Sequence, residues 1–438
     1  MYKLERQGGA CIFTDDELNV RFSVPDKNCM GMFQTSPLTA IEDEAALRRA
    51  FEEPVSGSRL SDIVRGKGAK SACILVSDAT RGVPTAPLAK IAVEELIKGG
   101  ISPDSIYFLV AIGVHRPATE DEMKLFLGEL YGKVHIENHT PFDKDNLISI
   151  GVTSGGTPVS VNKKAYDCDV HIQIGKVEPH EFAGFSGGRK SVLPGIASEE
   201  TIRINHRPEM ILDPASAIGA LDGNPVNADM TEAAEMFGID FGVNCILNNE
   251  MKMAAVFTGG LTECHRYAVD FVRSRLGVTF EKPDLIVTTP GRPLDIDFYQ
   301  TVKALIALTE ILDRDVVTLL YCGCPEGVNS PDMLRAFGSS EELNEVVRYT
   351  TDNYEIQMDH VLLLSKIFRK GAQVVLCCPN VTDDEARAMF MTPCKSPQSA
   401  IELACKLTGK PDPKIMFYPR PQTGLPSLSR TPNSHDHL

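Results

Sequence analysis

The chain has 438 residues, with 44 Lys+Arg against 59 Asp+Glu (net −15), 43% hydrophobic and 24% charged residues. This is ordinary globular composition, long enough for about two or three domains of roughly 150 residues. The acidic balance excludes a nucleic-acid backbone binder, which needs a basic patch, but leaves room for a small anion held by a few local cations.

The N-terminal MYKLERQGGACIFTDDE lacks the apolar h-region of a secretory signal. Residues 10 to 40 alternate apolar and polar positions and read as strands. SACILV (71–76) is a short continuous apolar run, as in a parallel strand buried on both faces. SDATRGVPT follows, then a helix, APLAKIAVEELIK, closed by Gly99 and Gly100. A second strand spans SIYFLVAIG (105–113). Thr119 and Glu122 then form a capping box that opens the helix EDEMKLFLGELYG. A third strand, DVHIQIG (169–175), precedes a long Gly- and Pro-rich segment. This strand–loop–helix rhythm predicts an α/β domain with a parallel sheet.

A second rhythm starts near Glu281-Lys282-Pro283: strand DLIVTTPG, helix FYQTVKALIALTEIL, strands VVTLLYCG and QVVLCC, helix SAIELACKLTG and strand KIMFYP. The predicted organisation is an N-terminal α/β domain over 1–280, a smaller α/β domain over 284–410, and a tail over 411–438 whose strand returns to the first domain. The residues after Pro421 read as a mobile tail, and the last nine, RTPNSHDHL, as an appended segment. Twelve cysteines are scattered, with one C-x-C (Cys322, Cys324), one adjacent pair (Cys377, Cys378) and no C-x-x-C. Reduced thiols in a cytoplasmic chain are expected, with neither disulfide scaffold nor structural zinc. No run approaches ~18 apolar residues, so no membrane partner is expected either.

Ligands of open α/β sheets bind beyond the carboxyl ends of the strands. After the first strand stand Ser77, Asp78, Thr80 and Arg81, a loop that suits a phosphate or carboxylate, or else a plain Asp/Thr capping turn. After the second comes His115, well placed for proton transfer. The densest stretch, GKVEPHEFAGFSGGRKSVLPGIASEETIRINHRPEM (175–210), holds His180, Gly187, Gly188, Lys190 and His206. It approaches a Walker A loop, but Arg189 stands where that loop needs glycine, which counts against a nucleoside triphosphate. No G-x-G-x-x-G follows the first strand, which counts against an ordinary NAD site. Lysine can anchor a group covalently and histidine can ligate a transition metal, though the spacings of His180 and His206 specify no metal. In the second domain Tyr299, Gln300 and Lys303 are spaced to share a helix face; a solvated first turn is the alternative.

These residues together resemble the nickel-dependent lactate racemase family. The likeness is carried by P-H-x-x-A-G-F-S-G-G-R-K with the following N-H, by S-D-A-T-R at 77–81, by V-H-R-P-A-T-x-x-E at 114–122 and by Y-Q-T-V-K at 299–303. The resemblance implies two α/β domains with an active-site cleft between them, and a nickel-pincer nucleotide made by cofactor-maturation proteins. It implies Lys190 as the covalent anchor, His206 as the nickel ligand, and His115 and His180 as the acid/base pair. Asp78, Thr80, Gly187, Gly188 and Tyr299 would contact the cofactor; Arg81, Gln300 and Lys303 would serve catalysis, with Arg81 and Lys303 on the substrate carboxylate. Arg81, Lys190 and Lys303 are thus expected to make one positive cleft. The implied reaction is racemisation or epimerisation of a 2-hydroxy acid by reversible hydride transfer to the cofactor, because a histidine alone cannot deprotonate so weak a carbon acid. A homologue that only binds a nucleotide or organic anion is the alternative; an oligomer is compatible with either. One departure stands out: the family's first loop reads D-x-T-R-P, whereas Gly82 follows Arg81 here and the proline comes at Pro84.

Overall fold

The computed structural model describes residues 1–429; the RTPNSHDHL segment lies outside the described residues. The chain forms two compact units, one from residues 36–275 and the other from residues 1–35 together with 276 onward.

The discontinuous unit begins with an antiparallel meander of β1 (Tyr2–Gln7), β2 (Ala10–Asp15) and β3 (Val20–Pro25), followed by β4 (Cys29–Met32). The alternation read in residues 10 to 40 is visible in β2, whose Cys11 and Phe13 point into the core.

In the continuous unit, α1 (Glu44–Glu52) and α2 (Leu60–Lys67) lead to β5 (Ala72–Ser77), α3 (Thr85–Gly99), β6 (Ile106–Ala111), α4 (Glu120–Leu127) and β7 (His135–Asn138). Gly100 caps α3 in the left-handed conformation, and Thr119 and Glu122 make the reciprocal capping box of α4. A hairpin of β8 (Leu147–Val152) and β9 (Pro158–Asn162) and the short α5 (Lys163–Tyr166) precede β10 (Val170–Lys176). Then come the small pair β11 (Pro179–His180) and β12 (Gly184–Phe185), α6 (Glu199–Asn205), α7 (Pro208–Leu212), α8 (Pro225–Phe237), β13 (Phe241–Leu247), β14 (Met253–Gly259) and α9 (Leu261–Leu276). The sheet order is β14-β13-β10-β5-β6-β7, parallel throughout except for the edge strand β14. Its central strands are fully buried, which accounts for their unbroken apolar runs.

The chain then completes the first unit: β15 (Gly277–Phe280), β16 (Leu285–Thr289), the short α10 (Phe298–Thr301) and α11 (Lys303–Ile306), β17 (Val317–Tyr321), and helices α12 (Pro331–Phe337), α13 (Leu343–Asp352) and α14 (Asp359–Arg369). β18 (Gln373–Cys377), α15 (Asp383–Ala388), β19 (Thr392–Pro393), α16 (Pro397–Leu407), β20 (Ile415–Pro419) and β21 (Leu425–Leu428) follow. The sheet order is β19-β18-β17-β16-β20-β4, all parallel.

Both units are therefore α/β with parallel-sheet cores, as expected. The boundaries differ. The tail strand β20 does not return to the first domain; the N-terminal β4 instead pairs with β20 and belongs with the C-terminal unit. Past Pro421, where a mobile tail was expected, residues Leu425–Leu428 form β21, which pairs with β15.

Candidate functional site

The site is built at the carboxyl ends of β5, β6 and β10, where each strand hands over to a loop. After β5, Asp78 caps a single 3-10 turn: its Oδ1 accepts from Thr80 N at 2.8 Å and Thr80 Oγ1 at 2.5 Å. The other oxygen faces His115 Nδ1 at 3.1 Å, with Arg81 at 3.9 Å. Burial alone would raise the Asp78 carboxyl. The hydrogen bonds from His115 and Thr80 and the charge of Arg81 outweigh it and hold the pKa at about 2. The carboxylate on Nδ1 orients the His115 ring and leaves Nε2 turned away from it, 3.5 Å from an Arg81 nitrogen. Gly82 ends the turn at φ +61°, which proline cannot adopt, so the departure from D-x-T-R-P reflects a different loop path.

After β6, Gly113 donates to the Gly195 carbonyl at 2.9 Å, docking the His115 loop onto the loop that carries Lys190. That second loop is held by buried polar groups. Arg189 is buried and donates to the carbonyls of Ala183 at 2.8 Å and Phe185 at 3.0 Å, with His265 at 2.9 Å from its other nitrogen. The residue that breaks the Walker pattern is thus the brace of the loop. Gly188 N–H donates to Asn244 Oδ1 at 3.0 Å and so supports the loop. Gly187, at φ +79° and ψ −176°, occupies space where a Cβ would stand 2.7 Å from Val177 Cγ2 and 2.8 Å from the Lys176 carbonyl.

This path brings Lys190 Nζ to 3.0 Å from His180 Nε2 and 5.8 Å from the centroid of Phe182. Phe182 also meets His180 (4.9 Å) and His206 (5.3 Å) edge-on, so one ring gathers all three side chains. Desolvation, then the charges of Arg189 and Arg81, push the Lys190 amine well below the ordinary lysine range. Burial thus makes Lys190 a readier nucleophile than an exposed lysine, beside the charges of Arg189 and Arg81.

His206 ends α6. Its Nδ1 donates to the Ile202 carbonyl at 3.0 Å, and burial, reinforced by Lys190, lowers its pKa to about 3. The ring is neutral with its proton on Nδ1, so Nε2 presents a lone pair, the form a metal ligand requires. Asn205 explains the N-H pair: its side chain donates to Asp229 Oδ2 at 2.8 Å, and Asp229 also accepts from Thr153 and Thr157, pinning the helix end.

Tyr299, Gln300 and Lys303 lie in the other unit. They do not share one regular helix, because the chain breaks at Val302 into two four-residue turns. Tyr299 OH donates to Asp359 at 3.2 Å and its ring stacks on His360 at 4.2 Å; Gln300 N donates to Asp297 at 2.7 Å.

Phe182, Arg189, His265, Asn244 and Gln173 were missed as site-builders. The signal for two of them was present: Gln173 and Asn244 are polar residues at the buried centres of β10 and β13. They hydrogen-bond each other at 3.1 Å, and Gln173 also accepts from Ser191 at 3.2 Å.

Two family descriptions match the chain: "Lactate racemase N-terminal domain" over residues 16–219 and "Lactate racemase C-terminal domain" over 278–421. The lactate racemase of Thermoanaerobacterium thermosaccharolyticum is 30% identical over 407 residues, 91% of this chain and 94% of that one. That of Lactiplantibacillus plantarum is 32% identical over 318 residues, 71% and 74% of the respective chains. The solved lactate racemase apoprotein from T. thermosaccharolyticum superposes with a TM-score of 0.84 at 28% identity, covering 98% of this chain and all of that one. A protein from Thermotoga maritima shares the fold at a TM-score of 0.63 and 20% identity, over 90% of this chain and all of that one. With both family descriptions matched in order and the likeness running nearly end to end, the chain belongs to the lactate racemase family and is an isomerase.

Proposed function

We propose that this chain racemises or epimerises a 2-hydroxy acid with the help of a nickel-pincer nucleotide attached to Lys190. The observation that carries the reading is the convergence of a desolvated amine at Lys190, a metal-ready His206 Nε2, and two further histidines, one of them oriented by a carboxylate.

The residues fit such a group. A desolvated lysine is the form that reacts covalently. An imidazole held by a backbone carbonyl on its far nitrogen is a suitable nickel ligand. When bound, the group would supply a reversible hydride acceptor, which these side chains lack.

The chain's own residues do the rest. Arg81 offers a planar fork to the substrate carboxylate. His115 Nε2 takes the hydroxyl proton, and Asp78 at Nδ1 stabilises the imidazolium that results. His180 Nε2 stands 3.0 Å from Lys190 Nζ, and with Lys190 holding the group it would serve the hydroxyl of the opposite enantiomer. Two bases on two sides are what mirror-image alcohols need. Tyr299, Gln300 and Lys303 are proposed as further substrate and cofactor contacts. Other proteins must make and load the group. A reducing, cytoplasmic setting is proposed as well, in keeping with twelve scattered cysteines.

The test is Lys190→Ala, produced with the maturation proteins and examined by intact mass and a chiral assay over a panel of 2-hydroxy acids. Loss of both the adduct and racemisation is expected; retention of either would overturn the anchor. His115→Ala and His180→Ala should each keep nickel while losing about 10²–10⁴-fold in rate. Undiminished turnover in either variant removes that residue from the proton transfer.

A further inference from the structure

A second cluster of reactive side chains stands at the carboxyl edge of the other parallel sheet. Cys322 follows β17 directly and Cys378 follows its neighbour β18. Cys324 brings its sulfur back toward them through a turn in which its own φ is +47°, a conformation that side chains other than glycine seldom take. All three residues are buried, and their sulfurs lie within 4.8 Å of one another.

Packing alone does not require sulfur at three converging positions, one of them in a strained turn. The Cys378 thiol donates to the Gly323 carbonyl at 3.7 Å, within the turn that joins Cys322 to Cys324. Thr301 Oγ1 lies 3.3 Å from the Cys324 sulfur. The nearby amine of Lys395 donates to the carbonyls of Cys378 and Val381 and stands 3.6 Å from Asp383, so its charge is directed elsewhere. Three buried sulfurs converging from separate chain positions make a ready donor set, and three sulfurs select a soft or borderline cation.

We propose that Cys322, Cys324 and Cys378 form a three-sulfur site for a thiophilic d10 cation, zinc(II) or copper(I), separate from the nickel ligand His206. Binding forms three metal–sulfur bonds and breaks three S–H bonds, whose protons go to solvent; no electrons change hands. The ion would also act as a clamp. Cys324 N donates to the Asp295 carbonyl at 2.9 Å, and Thr301 lies between Gln300 and Lys303, so the site grips both ends of the segment that carries Tyr299.

The test uses the full reduced chain, produced without nickel or maturation proteins, and titrated with cobalt(II) and then zinc(II). One cobalt(II) per chain is expected, with thiolate-to-cobalt charge-transfer absorption that one equivalent of zinc(II) abolishes. His206→Ala should leave this signal intact, and Cys322→Ser and Cys378→Ser should each lose it. Zinc-edge X-ray absorption on the unmodified chain, which does not depend on the variants folding, should show three sulfur neighbours at about 2.3 Å. Absence of the charge-transfer band from the reduced chain overturns the proposal. So does a band that survives both serine variants, or a zinc first shell of nitrogen and oxygen alone.

Discussion

At Gly187 the backbone sits at φ +79°, and any side chain would collide with Val177 and the Lys176 carbonyl. Gly187→Ala is therefore expected to cost about 1–3 kcal/mol from conformation alone, plus the displacement of the loop. The loop end carries Lys190, so attachment should fall as well; thermal unfolding and intact mass read the two effects. Arg189 makes the complementary case. Arg189→Met removes the donors that hold the Ala183 and Phe185 carbonyls and should cost roughly 2–4 kcal/mol by denaturant unfolding, with little change in net exposure of the loop. A loss well under 1 kcal/mol would show that the guanidinium is not the brace. The sequence made Arg189 visible only as a misfit in a phosphate loop. Its partners are carbonyls four and six residues back and a histidine on a distant helix, a pairing that no spacing rule supplies.

Elements with strong local signals were legible: the buried runs of β5, β6 and β10, the capping box of α4 and the left-handed glycine that stops α3. Those defined by tertiary contact were not. The helix read over FYQTVKALIALTEIL breaks after Thr301 into turns, because Asp297 caps one turn through Gln300 N and the chain re-enters at Lys303. The meander β1–β3 alternates correctly, yet nothing in that alternation tells which sheet it covers. The answer lies in Phe13, which stacks on Phe417 at 4.8 Å and meets Tyr321 edge-on at 6.2 Å. Phe13→Ala is expected to destabilise by about 3–5 kcal/mol. Near-UV circular dichroism should register the loss, because two tyrosine- and phenylalanine-rich strands lose their shared partner.

For the whole molecule, the −15 balance says little about acid stability; the buried histidines say more. Burial lowers His139 to about 4, and burial together with Arg189 lowers His265 to about 3, from an ordinary 6.5. Between those limits the unfolded chain binds more protons than the folded one, so this stabilisation is complete above pH ~6.5 and declines as pH falls toward ~4 and then ~3. A lower urea midpoint at pH 5 than at pH 7 is expected. His139→Phe should flatten part of that slope, and an unchanged slope would remove His139 from the account.

The discontinuous unit also sets a timetable for synthesis. Its meander and β4 leave the ribosome first, but the strand that β4 pairs with, β20, comes nearly four hundred residues later. Meanwhile residues 36–275 hold a complete sheet and can close as an insertion within the waiting unit. At roughly 5–20 residues per second, the N-terminal strands stay unpartnered on their eventual sheet for about 20–80 seconds. During that interval an open strand edge invites wrong pairings. β4 is only four residues long and carries a glycine at φ +123°, which makes it a poor template for a stray strand until β20 arrives.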